Sequence, residues 1–233
     1  MPPSVLIVSP YAASANNGNW RTAARWAQLL QPDYTVIVRT VTDPLQDADV
    51  LVALHARRSH RVIRDWCSGA RRGACVVVLT GTDLYRDIPQ QDRAALESLE
   101  LADALVVLQE RGPASVPQPY RAKAAVIYQS APALTPLSKT TRSLRALFVG
   151  HVRAEKDPLA FARAAAVLAK RRDIAFAMVG GARDPELAKE LKTIGNRLPN
   201  LAFPAELSHA ATRQRIRHAH VLVVPSRMEG GAN

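Results

Sequence analysis

The sequence predicts an α/β protein with two domains, each built on a parallel sheet covered by helices. Short, nearly continuous apolar runs alternate with segments of helical periodicity, which is typical of strands buried on both faces. Residues 130–143 interrupt this alternation, because they are rich in Pro, Thr and Ser and lack apolar periodicity. The 233 residues, 48% of them apolar, suffice for two small cores. We therefore expect a domain at 1–129, a linker at 130–143 and a domain at 144–233.

The helices and strands of the first domain are predicted from its apolar runs and from the residues that interrupt regular structure. Strands are predicted at 5–9, 35–39, 50–54, 76–79, 104–108 and 124–128. Helices are predicted at 20–30, 59–70 and 90–101, where apolar side chains recur at helical spacing. Pro113, Pro117 and Pro119 break regular structure between the last two strands.

The second half restarts the alternation after the linker. Strands are predicted at 146–149, 174–179, 201–203 and 221–224, and helices at 158–170, 185–197 and 208–218. Asp157 and Pro158 form the start signal of the first of these helices.

Polar residues at the carboxyl ends of strands in the first domain are candidate ligand contacts, because open α/β sheets bind ligands there. The candidates are Asn17, Gly18, Asn19, Arg21, His55, Thr82 and Asp83. Structural alternatives stay open for each group. The Asn-rich loop 10–19 could be an ordinary turn, His55 a satisfied buried histidine, and Thr82 or Asp83 a helix cap.

The stretch 144–158 is the strongest candidate site in the second domain. A strand, Gly150 and a helix start follow one another, and this arrangement predicts outward-facing N–H groups and a positive helix end. His151, Arg153 and Lys156 add positive charge there. This chemistry suits a phosphate, although an ordinary βα junction with solvated basic residues would give the same spacing.

Charge and composition limit the classes of partner. The formal net charge of +11 and a pI near 10.3 favour anionic partners. Nucleic acid is disfavoured, because there is no long basic run and no aromatic-rich stacking surface. Cys67 and Cys75 lack metal-site spacing, and no apolar run approaches the length of a membrane span. We expect a reduced, cytoplasmic protein without a membrane span.

The end of the chain carries a second motif. Residues 225–233 follow a buried strand and contain Glu229, Gly230 and Gly231, which offer a carboxylate and backbone N–H groups. The sequence stops where a helix is expected to begin. We therefore expect the second domain to be truncated at its carboxyl end.

Two motifs together resemble a known family. Val-Gly-His-Val-Arg-Ala-Glu-Lys-Asp-Pro at 149–158, with Val-Pro-Ser-Arg-Met-Glu-Gly-Gly-Ala-Asn at 224–233, resembles the retaining glycosyltransferases of the GT-B fold. These have two Rossmann-like domains, the second binding most of the nucleotide-sugar. The first-half segments 16–23, 53–59 and 79–85 look more narrowly like the selenosugar synthases of selenoneine biosynthesis, which join selenophosphate to a sugar from UDP-N-acetylglucosamine.

The resemblance implies roles for residues of both motifs. Lys156 and Arg153 would bind the donor diphosphate, and Glu229 would bind hydroxyls of the donor sugar. The further donor contacts implied are Gly150, His151, Gly180, Gly181, Ser226, Gly230 and Gly231. The family usually has Arg directly after the first glycine, where this chain has His151. A second glutamate, which holds the ribose in the family, would lie beyond residue 233.

The implied reaction is retaining transfer to selenophosphate, with the UDP-sugar as co-substrate and no cofactor. No Asp-x-Asp metal motif is present, so basic side chains would stabilise the leaving UDP and the transfer is expected to be metal-independent. Arg21, Arg57 and Arg58 are candidates for holding the anionic acceptor. Alternatives are an ordinary sugar or lipid acceptor, sugar-nucleotide epimerisation, or non-enzymatic nucleotide or nucleic-acid binding.

Overall fold

The computed structural model describes residues 2–15, 17–69, 73–203 and 206–231. They form two compact units: the first runs to Ala131 and includes 229–231, and the second is Pro132–Met228. The sequence placed the segment after residue 228 in the second domain. In the structure, 229–231 instead belong to the first unit and pack against the ends of its strands. Asn16, the predicted helix end at Ala70 and the motif residues Ala232 and Asn233 lie outside the described residues.

The first unit contains a six-stranded parallel sheet. Its strands are β1 (Ser4–Ser9), β2 (Thr35–Thr40), β3 (Val50–Leu54), β4 (Ala74–Leu79), β5 (Ala104–Val107) and β6 (Ala124–Val126). Their order across the sheet is β2-β1-β3-β4-β5-β6, and every pairing is parallel. The predicted parallel sheet is confirmed, with β6 ending before Ile127.

Helices cover both faces of this sheet. They are α1 (Gly18–Leu30), α2 (His60–Ser68), α3 (Arg93–Leu101) and the short α4 (Gly112–Ser115). One core cluster joins β-strand residues to α2 and α3, and another joins them to α1. Two differences from the sequence prediction matter for the site. Helix α1 begins two residues earlier than expected, and Asp83–Asp87 form a single π-helical turn after β4.

The second unit contains a four-stranded parallel sheet. Its strands are β7 (Leu144–Val149), β8 (Ile174–Val179), β9 (Leu201–Ala202) and β10 (Val221–Val223), in the order β10-β7-β8-β9. The helices are α5 (Pro158–Val167), α6 (Pro185–Gly195) and α7 (His209–His218). A cluster of Phe148, Phe161 and Phe176 forms the centre of the core, with ring centroids 5.9 Å and 5.3 Å apart along the series.

Local sequence explains where these helices begin. Asp157 and Asp184 cap α5 and α6, each followed by a proline at the first helical position. The carboxylate of Asp184 accepts a hydrogen bond from the backbone N–H of Leu187 at 3.1 Å. An acidic cap satisfies a helix N–H group and interacts favourably with the helix dipole, while proline needs no partner there.

Residues 132–140 of the predicted linker form hydrogen bonds with the second unit. Arg213 donates to the carbonyl of Pro132 at 2.5 Å, and Arg217 to that of Thr135 at 2.7 Å. His220 Nε2 lies 2.9 Å from the carbonyl of Thr140, and Lys139 donates to the carbonyl of Ala219. The second unit therefore starts at Pro132, earlier than the sequence predicted, because cationic side chains bind the backbone of this segment. We call 132–140 the strap.

Candidate functional site

The turn between β7 and α5 carries the predicted phosphate-binding residues. After Gly150 the chain makes a short parallel bridge from Val152 to Ala182, then a 3-10 turn at Ala154–Lys156. Asp157 follows in a left-handed conformation with φ 42° and caps α5. Arg153 and Lys156 thus lie on either side of one short turn.

Four of the backbone donors in this turn bond to acceptors inside the protein. The N–H groups of Gly150 and Val152 donate to Val179 and Gly181, and those of Lys156 and Asp157 close the 3-10 turn. The carboxylate of Asp157 accepts from Ala160 N at 3.2 Å. The helix end is therefore already matched with a negative charge. The prediction of outward-facing N–H groups is wrong for these residues, and Arg153 and Lys156 supply cationic side chains beside them.

His151 makes a hydrogen bond to the loop that follows β8. Its Nδ1 accepts a hydrogen bond from the backbone N–H of Gly181 at 3.2 Å. This hydrogen bond joins the end of β7 to the loop after β8. A role for His151 in binding an anion stays a prediction.

Gly180 and Gly181 allow close packing inside the unit. Gly180 has φ 155°, and a Cβ there would lie 1.9 Å from the carbonyl oxygen of Gly150. A Cβ on Gly181 would lie 2.4 Å from a carboxylate oxygen of Glu206. Protein atoms thus already lie where the Cβ atom of either residue would stand, so both positions require glycine for packing. Their contact with a donor stays a prediction.

Arg153 and Lys156 differ in their surroundings. The Nε atom of Arg153 is shielded from solvent and has no hydrogen-bond partner among the described residues, which costs about 1–3 kcal/mol for a buried donor. The Lys156 side chain is half-buried, and its Cγ lies 3.7 Å from where a Gly150 Cβ would stand. Its aliphatic stem therefore folds over the glycine.

The segment after β10 lies against the same turn. The backbone N–H groups of Arg227 and Met228 donate to the carbonyl of Glu155 at 2.9 Å and 3.4 Å. Arg227 Nε also donates to a carboxylate oxygen of Asp157 at 3.0 Å. The two sequence motifs therefore meet within the second unit, with Ser226 half-buried beside Arg227.

Glu229, Gly230 and Gly231 lie with the first unit. Gln109 donates to the carbonyl of Glu229 at 3.3 Å and to Tyr85 Oη at 2.7 Å. A Cβ on Gly230 would lie 2.5 Å from the carbonyl oxygen of Thr80, so only glycine fits there. The structure does not place Glu229 in the same unit as Arg153 and Lys156.

The predicted acceptor residues His55, Thr82 and Asp83 form one cluster at the ends of β3 and β4, with His55 and Asp83 buried and Thr82 half-buried. The carboxylate of Asp83 accepts from the backbone N–H groups of Thr80, Gly81 and Ala56 at 2.8–3.0 Å. His55 Nδ1 accepts from the backbone N–H of Arg58, so its Nε2–H donates to Thr82 Oγ1 at 3.0 Å. Asp83 is fully buried, so its role is to fix the backbone of the loops that follow β3 and β4 through these hydrogen bonds.

His55 should make the first unit sensitive to acid. Burial is the main cause that lowers its pKa below the ordinary 6.5, although Asp83 opposes the shift. Below pH 6.5 the unfolded chain therefore binds a proton that the folded chain excludes. The free energy of unfolding should then decrease by about 1.4 kcal/mol for each unit by which the pH is lowered. We expect urea unfolding followed by Trp fluorescence to show this slope, since Trp20, Trp26 and Trp66 all lie in the first unit. A slope unchanged in His55→Gln would contradict this assignment.

The remaining acceptor candidates sit at the start of α1. Asn17 caps this helix by accepting from Asn19 N at 2.8 Å. Gly18 is the first helical residue, and its carbonyl accepts from Thr22 Oγ1 at 3.0 Å. Arg21 is half-buried in the first turn. These residues are separate from the His55 cluster in the hydrogen bonds described, and their contact with an acceptor stays a prediction.

Arg57 and Arg58 have partners within the protein. Arg57 Nε lies 2.9 Å from a carboxylate oxygen of Asp92, and the Arg58 guanidinium lies 5.1 Å from the ring centroid of Tyr11. An ion pair and a cation–π contact are sufficient structural reasons for both side chains. The first unit therefore offers them less readily for an anionic acceptor than the sequence suggested.

Sequence reasoning missed the contact of Arg227 with Asp157 and that of Gln109 with Glu229. The Asp-Pro pair correctly signalled a helix cap, but nothing local in the sequence identifies a partner 70 residues away. Within the described ranges, no group of three or more His, Cys, Asp or Glu side chains is placed to hold a metal ion, and no helix is long and apolar enough to cross a membrane. Metal-independent transfer stays a prediction.

Solved structures similar to this chain are glycosyltransferases. Sucrose-phosphate synthase from Thermosynechococcus elongatus has a TM-score of 0.72 at 15% identity, covering 99% of this chain and 77% of that chain. HepE from Anabaena, in complex with UDP and glucose, has a TM-score of 0.65 at 14% identity, covering 96% and 74%. The chain therefore has the GT-B fold that its motifs resemble.

A third similar structure, TarM from S. aureus in a complex that includes UDP, has a TM-score of 0.59 at 11% identity. It matches 78% of this chain, which spans only 38% of the TarM chain. No protein-family model matches the sequence, and no curated protein matches it. The likeness is thus one of fold.

Proposed function

We propose that this protein is a glycosyltransferase that takes its sugar from a UDP-sugar. The observation that carries the proposal is the short turn from Gly150 to Asp157, which presents Arg153 and Lys156 together in the second unit. The fold supports it, because HepE and TarM, which share that fold, hold UDP in their structures.

The electrostatics of the turn suit a diphosphate leaving group. Asp157 is neutralised locally by Arg227 at 3.0 Å and lies 3.7 Å from Arg163, so it opposes an incoming anion less than an isolated carboxylate would. The Nε donor of Arg153 is shielded and has no hydrogen-bond partner among the described residues, which is unfavourable for a buried donor. An anion that accepts a hydrogen bond from this guanidinium would remove that cost. Fixed cations then stabilise the charge that grows on UDP as the glycosidic bond breaks.

For the donor, we propose UDP-N-acetylglucosamine, with Glu229 binding sugar hydroxyls and Gly230 and Gly231 supplying backbone contacts. Further donor contacts are assigned to Gly150, His151, Gly180, Gly181 and Ser226. These roles rest on the motif resemblance. The reaction proposed is retaining and needs no metal.

For the acceptor, we propose selenophosphate. Its selenium forms a bond to the anomeric carbon as the carbon–oxygen bond to UDP breaks, and the electron pair of that bond leaves with UDP. The immediate product carries a selenium-linked phosphate on the sugar. An anionic acceptor requires positioning by cations more than a strong general base, and Arg21 at the half-buried start of α1 is the candidate for this role.

The test is release of UDP from UDP-N-acetylglucosamine by the full chain under anaerobic conditions, with and without selenophosphate. We expect release only when selenophosphate is present, and a lower rate in Glu229→Ala. Phosphate and thiophosphate serve as matched acceptors that differ in the attacking atom.

Three other outcomes would redirect the proposal. Tight UDP binding without release under any of these conditions would remove selenophosphate as acceptor, and an ordinary sugar or lipid acceptor would become the leading alternative. Conversion of the donor without any acceptor would indicate an epimerase. Salt-sensitive polynucleotide binding without preference for UDP would replace the enzyme proposal with a nucleic-acid-binding function.

A further inference from the structure

The connection of Arg227 to the Arg153–Lys156 turn is the feature from which we infer a positioning function. Arg227 makes two contacts with this turn, one through its backbone and one through its side chain. Its N–H donates to the carbonyl of Glu155 at 2.9 Å, and its Nε donates to Asp157 at 3.0 Å. Both acceptors are immediate neighbours of Lys156.

The turn needs such support, because it has little internal structure. Its 3-10 segment is only three residues long, and so short a segment is not stable without outside contacts. Asp157 also holds φ 42°, a left-handed conformation that costs about 1–3 kcal/mol for a residue other than glycine. The backbone at Lys156 therefore takes its position from the groups that bind its neighbours.

Asp157 links this contact to the helix. One carboxylate oxygen accepts from Ala160 N at the start of α5, while the other accepts from Arg227. The hydrogen bond from Arg227 is the largest of the effects that lower the pKa of Asp157. The carboxylate thus stays ionised and joins the segment after β10 to the helix through the turn.

We propose that the Arg227–Asp157 pair is a positioning clamp that holds Lys156 and Arg153 in place for a nucleoside diphosphate. This inference rests on the proposed function, because it takes the turn as the diphosphate site. Arg227 is not assigned a ligand contact. Its side chain is 68% exposed, and a pair this open adds little to global stability. Its effect should therefore appear in ligand affinity rather than in unfolding.

The matched control is Arg163, which approaches the same carboxylate. Its guanidinium lies 3.7 Å from Asp157 Oδ1, but Arg163 is part of α5 and makes no described backbone contact with Glu155. Removal of Arg163 takes away one positive charge near Asp157 while leaving the backbone connection between the two motifs in place.

The experiment is calorimetric titration of the full chain with UDP, comparing wild type, Arg227→Met, Arg227→Lys, Asp157→Asn, the Arg227→Met/Asp157→Asn double variant and Arg163→Met. Asparagine keeps a cap acceptor and tolerates the left-handed conformation. We expect affinity to fall about tenfold in Arg227→Met and in Asp157→Asn, with no further loss in the double variant. Arg227→Lys should recover part of the loss, Arg163→Met should change affinity less than about twofold, and all melting temperatures should stay close to wild type.

Different failures have different meanings. If the wild type does not bind UDP, the proposed function fails, and the clamp, which is defined for a nucleoside diphosphate, is overturned with it. If the wild type binds UDP and Arg227→Met binds equally well, the clamp is overturned while the function stands. If Asp157→Asn binds as well as wild type while Arg227→Met binds poorly, Arg227 contacts the ligand directly and the clamp is again overturned.

Discussion

Replacing Lys156 with Ala should reduce selenophosphate-dependent UDP release about 100- to 1,000-fold, the size of effect expected when one fixed group that stabilises developing charge is removed. Lys156 lies between Glu155 and Asp157, both of which are anchored by hydrogen bonds, and its stem folds over Gly150. The backbone that carries its ammonium group is thus held in position on both sides. The measurement is the initial rate of UDP release at saturating UDP-N-acetylglucosamine.

Lys189→Ala is the control for this prediction, because it removes the same charge from an exposed position on α6. Its rate should match the wild type. Lys156→Arg should keep part of the activity, since it retains the charge but alters its geometry. Wild-type turnover in Lys156→Ala would rule out this lysine as the group that stabilises the leaving diphosphate.

Gly180→Ala should unfold the second unit far more easily than wild type. The added Cβ would overlap the carbonyl oxygen of Gly150 at 1.9 Å, and φ 155° is a conformation that alanine rarely adopts. The conformational cost is about 1–3 kcal/mol, and the overlap adds about 1–3 kcal/mol more. We expect hydrogen exchange followed by mass spectrometry to show loss of protection in peptides from β7 and β8.

Gly195→Ala provides the comparison within the same unit. Gly195 is the last residue of α6, and nothing lies within 4 Å of a Cβ built there. Alanine in a helix is favoured over glycine by roughly 0.5–1 kcal/mol, so protection should be unchanged or higher. Equal protection from hydrogen exchange in Gly180→Ala and wild type would contradict this prediction. It would mean that the loops of Gly150 and Gly180 can move apart to accommodate the Cβ without loss of stability.

Much of the fold could be predicted, because the strands are buried on both faces and therefore read as apolar runs. The run at 50–54 became β3 and that at 174–179 became β8 with unchanged bounds. Shorter features were not predictable in this way. Helix α4 starts at Gly112 and contains Pro113 near its start, where proline favours a helix rather than breaking it.

The candidate site was predictable in its location more than in its contacts. The Gly150–Pro158 pattern located the turn, but four of the N–H groups expected to face a ligand donate to protein acceptors, and Asp157 caps the helix end. Similarly, Asp83 was expected at a strand end, but its bond to Ala56 N crosses between neighbouring strands. Such contacts depend on which strands become neighbours, and this is a property of topology rather than of local sequence.

The strap has a consequence for how freely its sequence can vary during evolution. Arg213, Arg217 and His220 all approach backbone carbonyls of residues 132–140, and every amino acid supplies that acceptor. Apart from Lys139, whose side chain itself donates to Ala219, strap residues should therefore be substituted with little selection against them, while Arg213, Arg217 and His220 should be retained. A deep set of homologues would then show a variable segment beside an invariant surface.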